Sequence, residues 1–175
     1  METSSWRVIF RQIPWVIVAS IVGALVFVLV QRMAGFSIHI GQYIGSQIVE
    51  QGGYDPSLKE LFGWGIHYGV SLSYAGLFAA VTMMPDFPRA WSLVRWLQAL
   101  AVAALLGWVT TLITEPAIVT TISVFAGKGW PEQLPGLNTR LGLPFWNHMG
   151  FFGICFVFIT LIPDILRGRN EMRQF

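Results

Sequence analysis

Long stretches without a charged residue divide this chain, and each is rich in Val, Ile, Leu, Phe and Ala. These stretches are residues 12–31, 61–85, 96–114 and 141–163. A helix needs about 20 apolar residues to cross the hydrocarbon core of a bilayer, where it satisfies its own backbone hydrogen bonds. The pattern therefore predicts four membrane-spanning helices. We expect them at about residues 13–33, 61–84, 96–115 and 144–163.

The segment between the first two spans contains a weaker apolar pattern of its own. Its apolar side chains recur with the spacing of one helix face, at Phe36, Ile40, Tyr43, Ile44 and Ile48. This spacing predicts an amphipathic helix that lies on the membrane surface rather than across the membrane.

The segment between the last two spans begins apolar and ends irregular. From Trp96 to Gly127 the chain carries a single charged residue, Glu115, which Pro116 follows. Two alternatives fit this run: one long kinked helix, or a spanning helix followed by a partly inserted segment. The predicted fold class is all-α, an integral membrane four-helix bundle with extra interfacial helical segments in the two outer loops. Residues 1–175 are expected to form a single membrane domain.

The composition agrees with a membrane environment. Hydrophobic residues make up 54% of the chain and charged residues 11%, whereas soluble domains have about 25% charged residues. So low a charge content cannot cover a water-facing surface, which excludes a soluble enzyme. The net charge of +2 comes from basic residues that stand singly between apolar stretches. It therefore bears on orientation in the membrane, and no nucleic-acid partner is expected.

The distribution of Lys and Arg predicts this orientation. Seven of the 11 basic residues fall in the N-terminal segment, the loop after span two and the C-terminal tail. They are Arg7, Arg11, Arg89, Arg95, Arg167, Arg169 and Arg173. Because positive charge accumulates on the cytoplasmic side, we expect both termini in the cytoplasm. Asp164 then marks the inner end of span four, where we expect a lipid-facing position.

All three histidines are expected near the outer surface of the membrane. His67 and His148 lie within about two turns of the outer ends of spans two and four, and His39 lies in the first outer segment. Glu115 lies at the same depth if span three ends there. An ionisable residue at membrane depth is a functional hypothesis in its own right. The candidate ligand or proton site comprises His67, His148, Glu115, Ser71 and Asn147.

Two interpretations of these histidines remain open. Imidazoles beside a carboxylate could bind a metal, ligate haem or relay a proton. Alternatively, a neutral imidazole hydrogen-bonds a carbonyl or Ser71 and simply joins two helices. The sequence has no His-x-x-Glu-His or Cys-x-x-Cys motif, and three histidines are too few for the four axial ligands of a di-haem cytochrome. No cofactor is predicted; if a metal binds, His67 and His148 are the expected ligands.

Spans two and three each carry a face of small residues. These residues are Gly65, Gly69, Ser73 and Gly76 in span two, and Ala103 and Gly107 in span three. Small residues let two membrane helices approach closely, so we expect the two faces to pack against each other. The opposite face of span two is polar or aromatic, at His67, Ser71 and Tyr74. A helix with two such faces is expected at the centre of its bundle.

Two segments resemble a bacterial protein family. The stretch from Trp64 to Ala75, with Ser71 one turn after His67, is similar to a His-x-x-x-Ser helix of the YagU-like inner-membrane proteins. The run from His148 to Arg167 is similar to their last span, which a histidine opens and an Asp-Leu-Arg-like element closes. The resemblance covers two of the four spans. It implies a multi-pass protein of the bacterial inner membrane, and it implies no particular reaction.

These features predict a non-enzymatic accessory or structural subunit of a membrane complex or of a homo-oligomer. Its expected partners are the lipid bilayer and other membrane-protein subunits or further copies of itself. One alternative is a membrane protein with a His-based metal, haem or proton-relay site at the outer side of the bilayer. A second alternative is an oligomeric transporter or channel, although the sequence shows no ring of charges and no inverted repeat. No enzyme is expected, since no Gly-x-Ser-x-Gly nucleophile motif is present.

Overall fold

The computed structural model describes residues 3–36, 40–84, 87 and 92–166, and all regular elements in these ranges are helices. They are α1 (Thr3–Met33), α2 (Ile40–Gly52), α3 (Lys59–Thr82), α4 (Leu93–Leu112), α5 (Thr114–Phe125) and α6 (Leu143–Cys155). A 3₁₀ turn (Pro56–Leu58) precedes α3. A π-helical segment (Phe156–Leu161) continues α6, and the chain stays helical to Leu166. The predicted all-α fold class is confirmed.

Three of the described helices are long and apolar enough to cross a membrane. They are Arg11–Met33 within α1, Leu93–Leu112, and Leu143–Leu166. The remaining predicted span coincides with α3, which is not among the three because glycines, serines and His67 interrupt its apolar side chains. The His67 face of α3 is buried against its neighbours. A helix that buries its polar side chains within a bundle needs less apolar surface than a helix that meets lipid all round.

The core forms where α1, α3 and α4 pack around α6. Gly23 of α1 lies against the Phe151 ring and Gly107 of α4 lies against Met149, since a Cβ at either glycine would come within 2.7 Å of that side chain. Small and aromatic side chains fill the space between these helices. The core includes Ala19, Ala75, Phe78, Ala99, Phe152, Cys155 and Ile159. Small residues on one helix therefore receive bulky residues from the next.

A close crossing joins α2 to α3 through glycines. Gly45 of α2 faces Gly63 of α3, where an added Cβ would come within 2.8 Å of the Gly63 nitrogen. Beside the crossing, side chains of α2, α3 and α5 surround Ile48, which is fully buried. The predicted amphipathic helix of the first outer segment corresponds to α2, whose apolar face docks on α3 and α5. Its location on the membrane surface stays a prediction.

Pro116 explains why α4 and α5 are separate helices. Proline has no N–H to donate to the carbonyl of Leu112, four residues earlier, and α4 ends there. The backbone N–H of Asn138 donates to this carbonyl instead, at 2.9 Å. The run from Trp96 to Gly127 therefore forms two helices that meet at Ile113, with the chain around Asn138 folded back onto the junction.

Candidate functional site

The histidines of α3 and α6 lie against the same phenylalanine. The rings of His67 and His148 each meet the Phe27 ring of α1 edge-on, with the ring centroids 5.7 Å apart in both pairs. Phe27 of α1 lies at His148, and Gly23, one turn earlier in α1, lies at Phe151, one turn later in α6. The two helices therefore run antiparallel. This arrangement brings both histidines to one end of the bundle. The third histidine of the sequence, at position 39, lies outside the described residues.

Each of these two histidines donates a hydrogen bond to a backbone carbonyl. Nε2 of His67 lies 3.2 Å from the carbonyl oxygen of Ala24 in α1, and Nδ1 of His148 lies 2.7 Å from the carbonyl oxygen of Pro144. A carbonyl oxygen can only accept, so both nitrogens carry a proton. The His67 bond joins α3 to α1, as the structural interpretation expected. The His148 bond stays within α6 and fixes the orientation of that ring.

Two polar side chains of α6 have groups without a hydrogen-bond partner among the described residues. Asn147 is 4% exposed, and neither its amide oxygen nor its amide nitrogen meets a hydrogen-bonding group among the described residues. Nε2 of His148 makes no hydrogen bond to any described residue either, and in the neutral ring it is an acceptor. An unpaired buried polar group costs about 1–3 kcal/mol. This end of α6 is therefore built with unused hydrogen-bonding capacity.

Two adjoining pockets share His148 in their walls. We call the first the His67 pocket; its volume is about 120 Å³, and its wall includes His67, Ser71, Tyr74 and His148. We call the second the Asn147 pocket; its volume is about 390 Å³, and its wall includes Gln31, Tyr43, Glu115, Asn138, Asn147 and His148. Both walls share Phe27, Ile40, Thr114, Ile118 and His148. The structure thus brings all five candidate site residues to one pair of pockets.

Ser71 and Glu115 differ in what they offer to these pockets. The buried Ser71 hydroxyl donates to the carbonyl oxygen of His67 at 2.8 Å, which leaves its oxygen free to accept one further bond. Glu115 is exposed in the first turn of α5, at the edge of the Asn147 pocket. No hydrogen bond links its carboxylate to His67 or His148 in the described ranges. The carboxylate therefore gives this rim a negative charge without orienting either imidazole.

The walls of the two pockets suit a mainly apolar molecule. Aromatic and aliphatic side chains dominate both of them, with Phe27, Ile40 and Ile118 common to the two. The described residues include no group of three or more His, Cys, Asp or Glu side chains that could hold a metal ion. A concave apolar site with a few convergent polar groups is the usual form of a small-molecule site. The polar groups in the walls include the amide of Asn147 and Nε2 of His148, which lack partners among the described residues.

A buried ion pair lies at the other end of the bundle and corrects one expectation. Asp164 is 4% exposed, and its Oδ2 accepts from Nε of Arg95 at 2.6 Å. The lipid-facing position expected for Asp164 is wrong, because a carboxylate away from water is stabilised by a buried cation. The position of Arg95 in α4 indicates its burial. Arg95 precedes Ala99 by one turn, and so it shares the buried face that continues through Ala103 and Gly107.

The small-residue faces of α3 and α4 were expected to pack against each other, and they do not. The α4 face, with Gly107, lies against Met149 of α6, which occupies the place beside α4. The α3 face is open, since a Cβ on any of its glycines would meet no described atom within 4 Å. We call it the open α3 face; it comprises Gly65, Gly69, Ser73 and Gly76. The His67 face of α3 points into the bundle instead, because its polar groups have hydrogen-bonding partners there.

Comparisons with known proteins do not assign the chain to a family. The chain matches no protein-family model, and no curated protein and no solved structure matches it either. The resemblance to YagU-like inner-membrane proteins therefore stays a prediction. His148 lines both pockets, and Asn147 lines the Asn147 pocket.

Proposed function

We propose that this protein is a four-span membrane protein that binds a small, mainly apolar ligand in the His67 and Asn147 pockets, without acting as an enzyme. α1, α4 and α6 have the length and composition of spans. α3 has 24 residues and is thus about 36 Å long, which is enough to cross the hydrocarbon core. With the basic segments in the cytoplasm, both termini are cytoplasmic, and the pockets lie towards the outer surface of a bacterial inner membrane.

The observation that carries this proposal is the buried amide of Asn147, which has no hydrogen-bond partner among the described residues. A buried amide without hydrogen bonds costs about 1–3 kcal/mol, and a polar group of a ligand that bonds to it would offset this cost. In ligand sites, a few polar groups on an apolar wall provide orientation and specificity. Asn147 and the adjacent His148 have this relation to Phe27, Ile40 and Ile118, which would contact the apolar body of the ligand.

Filling the shared wall of the pockets tests this proposal. We expect wild-type protein in mild detergent to bind tritiated 4-hexylphenol saturably. Ile118→Trp, which places an indole in both pockets, should weaken that binding about ten-fold or more, equivalent to about 1.4 kcal/mol. Ile21→Trp is the matched control, because Ile21 is exposed on α1, and it should bind like wild type. Non-saturable binding, or equal binding by the Ile118→Trp variant, contradicts the proposal.

A second candidate function, as the subunit of a homo-oligomer, is favoured by the open α3 face. Its glycines leave the α3 backbone accessible, and a small-residue face can pack against the same face of a second copy about a two-fold axis. The bulky face of α6 covers the glycines of α1 and α4 in the same chain, whereas nothing in the described chain covers those of the open α3 face. The occupant that we propose is therefore a second copy of the chain.

Two glycine substitutions separate self-association from a general effect of bulk in lipid. We expect wild-type protein in lipid nanodiscs to be a dimer by mass measurement, and Gly69→Leu to shift it to the monomer. Gly150→Leu is the matched control, because Gly150 is also an exposed helical glycine with no described atom within 4 Å of an added Cβ. This control should remain dimeric. A monomeric wild-type protein, or the same loss in both variants, rules out the open α3 face as the dimer interface.

A further inference from the structure

We propose that the ligand of the Asn147 pocket is a neutral molecule with a hydroxyl group on an apolar body. The hydroxyl hydrogen is donated to Nε2 of His148, and the hydroxyl oxygen accepts from the Asn147 amide. This inference rests on the proposed function, because it names the chemical class that the same pocket selects. It follows from the hydrogen-bonding state of two adjacent residues of α6 and from the charges around them.

The Pro144 carbonyl decides which hydrogen-bonding partner His148 requires. Nδ1 of His148 lies 2.7 Å from that oxygen and must be the protonated nitrogen. In the neutral ring, Nε2 therefore presents a lone pair to the pocket. A ligand carbonyl or ether oxygen placed there would set one lone pair against another. Only a ligand that brings an O–H or N–H hydrogen satisfies this nitrogen.

Asn147 supplies the complementary half of the recognition. Its amide can donate through nitrogen and accept through oxygen, and both atoms are buried without a partner among the described residues. Asn147 and His148 are consecutive in α6 and line the same pocket. A hydroxyl group is both donor and acceptor at one oxygen atom. Its hydrogen matches the acceptor on His148 and its oxygen matches the donor on Asn147, whereas an amine would leave the Asn147 nitrogen without an acceptor once protonated.

The charges around the pocket favour a neutral ligand. Among the residues that line it, Glu115 is acidic and none is Lys or Arg. A carboxylate or phosphate ligand would have no cation to compensate its burial, and Glu115 would repel it at the rim. The rest of the wall includes the aromatic rings of Phe27, Phe36 and Tyr43. The selected class is therefore a phenol or a long-chain alcohol rather than an organic anion.

A matched pair of probes tests the donor requirement. 4-Hexylphenol and 4-hexylanisole share the same ring and tail, but the methyl ether has no hydrogen to donate. Wild-type protein should bind the phenol about ten-fold or more tightly than the ether, because the ether leaves Nε2 of His148 unpaired. His148→Phe should bind the two probes within about two-fold of each other, since that variant has no acceptor to satisfy.

Asn147→Leu gives a second and independent readout. Leucine has a similar size and removes the unpaired amide, so this variant should have a higher melting temperature than wild type in the absence of probe. The same variant should lose most of the preference for the phenol. If Asn147 had a merely structural role, its replacement would not raise the stability and lower the selectivity together. A lower melting temperature with the preference retained overturns the inference.

The outcomes separate this inference from the proposed function. Saturable binding of both probes with equal affinity, still sensitive to Ile118→Trp, overturns the hydroxyl requirement and leaves the proposed function standing. No saturable binding of either probe overturns both. Competition by hexadecanol carried in lipid vesicles supports a ligand that enters from the bilayer, and competition by 4-ethylphenol added in water supports one that enters from solution. If neither compound displaces tritiated 4-hexylphenol, the hydroxyl class is wrong.

Discussion

The glycine crossing between α2 and α3 allows a quantitative test of how these helices pack. Gly63 is buried at the crossing, and an added Cβ would lie 2.9 Å from the carbonyl carbon of Gly41 and closer still to its oxygen. Two residues later in the same helix, Gly65 has no described atom within 4 Å of an added Cβ. We predict that Gly63→Ala destabilises the protein, whereas Gly65→Ala does not.

The size of the effect follows from the distances. Carbon atoms pack at about 3.5–4.0 Å, so α2 must move by roughly 0.5–1 Å, a gap that forfeits about a quarter to a half of each contact across the crossing. Those contacts include the apolar cluster around Ile48. Overpacking of this kind costs about 1–3 kcal/mol. The gain in helix propensity from Gly to Ala, about 1 kcal/mol, applies to both variants and cancels in their difference.

Reversible unfolding in mixed dodecylmaltoside and dodecylsulfate micelles measures this difference, with circular dichroism as the probe. We expect the free energy of unfolding of Gly63→Ala to lie about 1–3 kcal/mol below that of Gly65→Ala, and Gly65→Ala to equal or exceed wild type. Equal stabilities, or the reverse order, would mean that α2 does not cross α3 at Gly63. In that case the cluster around Ile48 would need a different explanation.

Further predictions concern polar groups at the other end of the bundle and in a loop. Arg95→Leu should lower the free energy of unfolding by about 3–5 kcal/mol, because it removes the cation beside the buried Asp164 carboxylate, and Asp164→Leu should also lower it, because it removes the same ion pair. The double variant should lose far less, and additive losses in the same micelle assay would contradict the pairing. Thr160→Val should not lower the melting temperature, because the buried Thr160 hydroxyl has no partner among the described residues. The backbone N–H and then the hydroxyl of Ser57 hold the pKa of the Asp55 carboxyl below its ordinary value. Their stabilisation is present above about pH 4 and is lost as the pH falls through the lowered pKa, and a carbon-13 NMR titration of Asp55 should show that lowered midpoint.

The candidate site was partly accessible from the sequence. Helical spacing and depth placed His67 and His148 at one end of the bundle, and the structure sets both against Phe27. The role of Phe27 could not be anticipated, since one phenylalanine in an apolar span looks like any other until a neighbouring helix is known. That Asn147 has no partner among the described residues could not be anticipated either, because it depends on where the nearby donors and acceptors lie.

Which face of α3 points into the bundle could not be predicted from the sequence either. α3 has a small-residue face and a His67 face, and the sequence does not say which of them faces inward. The structure buries the His67 face and leaves Gly65 and Gly69 open. The close crossing with α2 is made at Gly63, which belongs to neither of these two faces. The burial of Arg95 was not predicted either, because Arg95 was assigned to the loop after span two, although its helical spacing from Ala99 places it on the buried face of α4.

The sequence by itself determined the all-helical class and the approximate extents of the helices, and it marked the run around Pro116 as either kinked or broken. These properties are local: helix formation and the exclusion of charge from apolar stretches depend on residues within a few turns of one another. The tertiary structure alone decided that Asp164 pairs with Arg95, that Met149 covers Gly107, and that two pockets surround His148. Those properties depend on which faces of separate helices meet, and that choice is a sum over contacts between residues far apart in the chain.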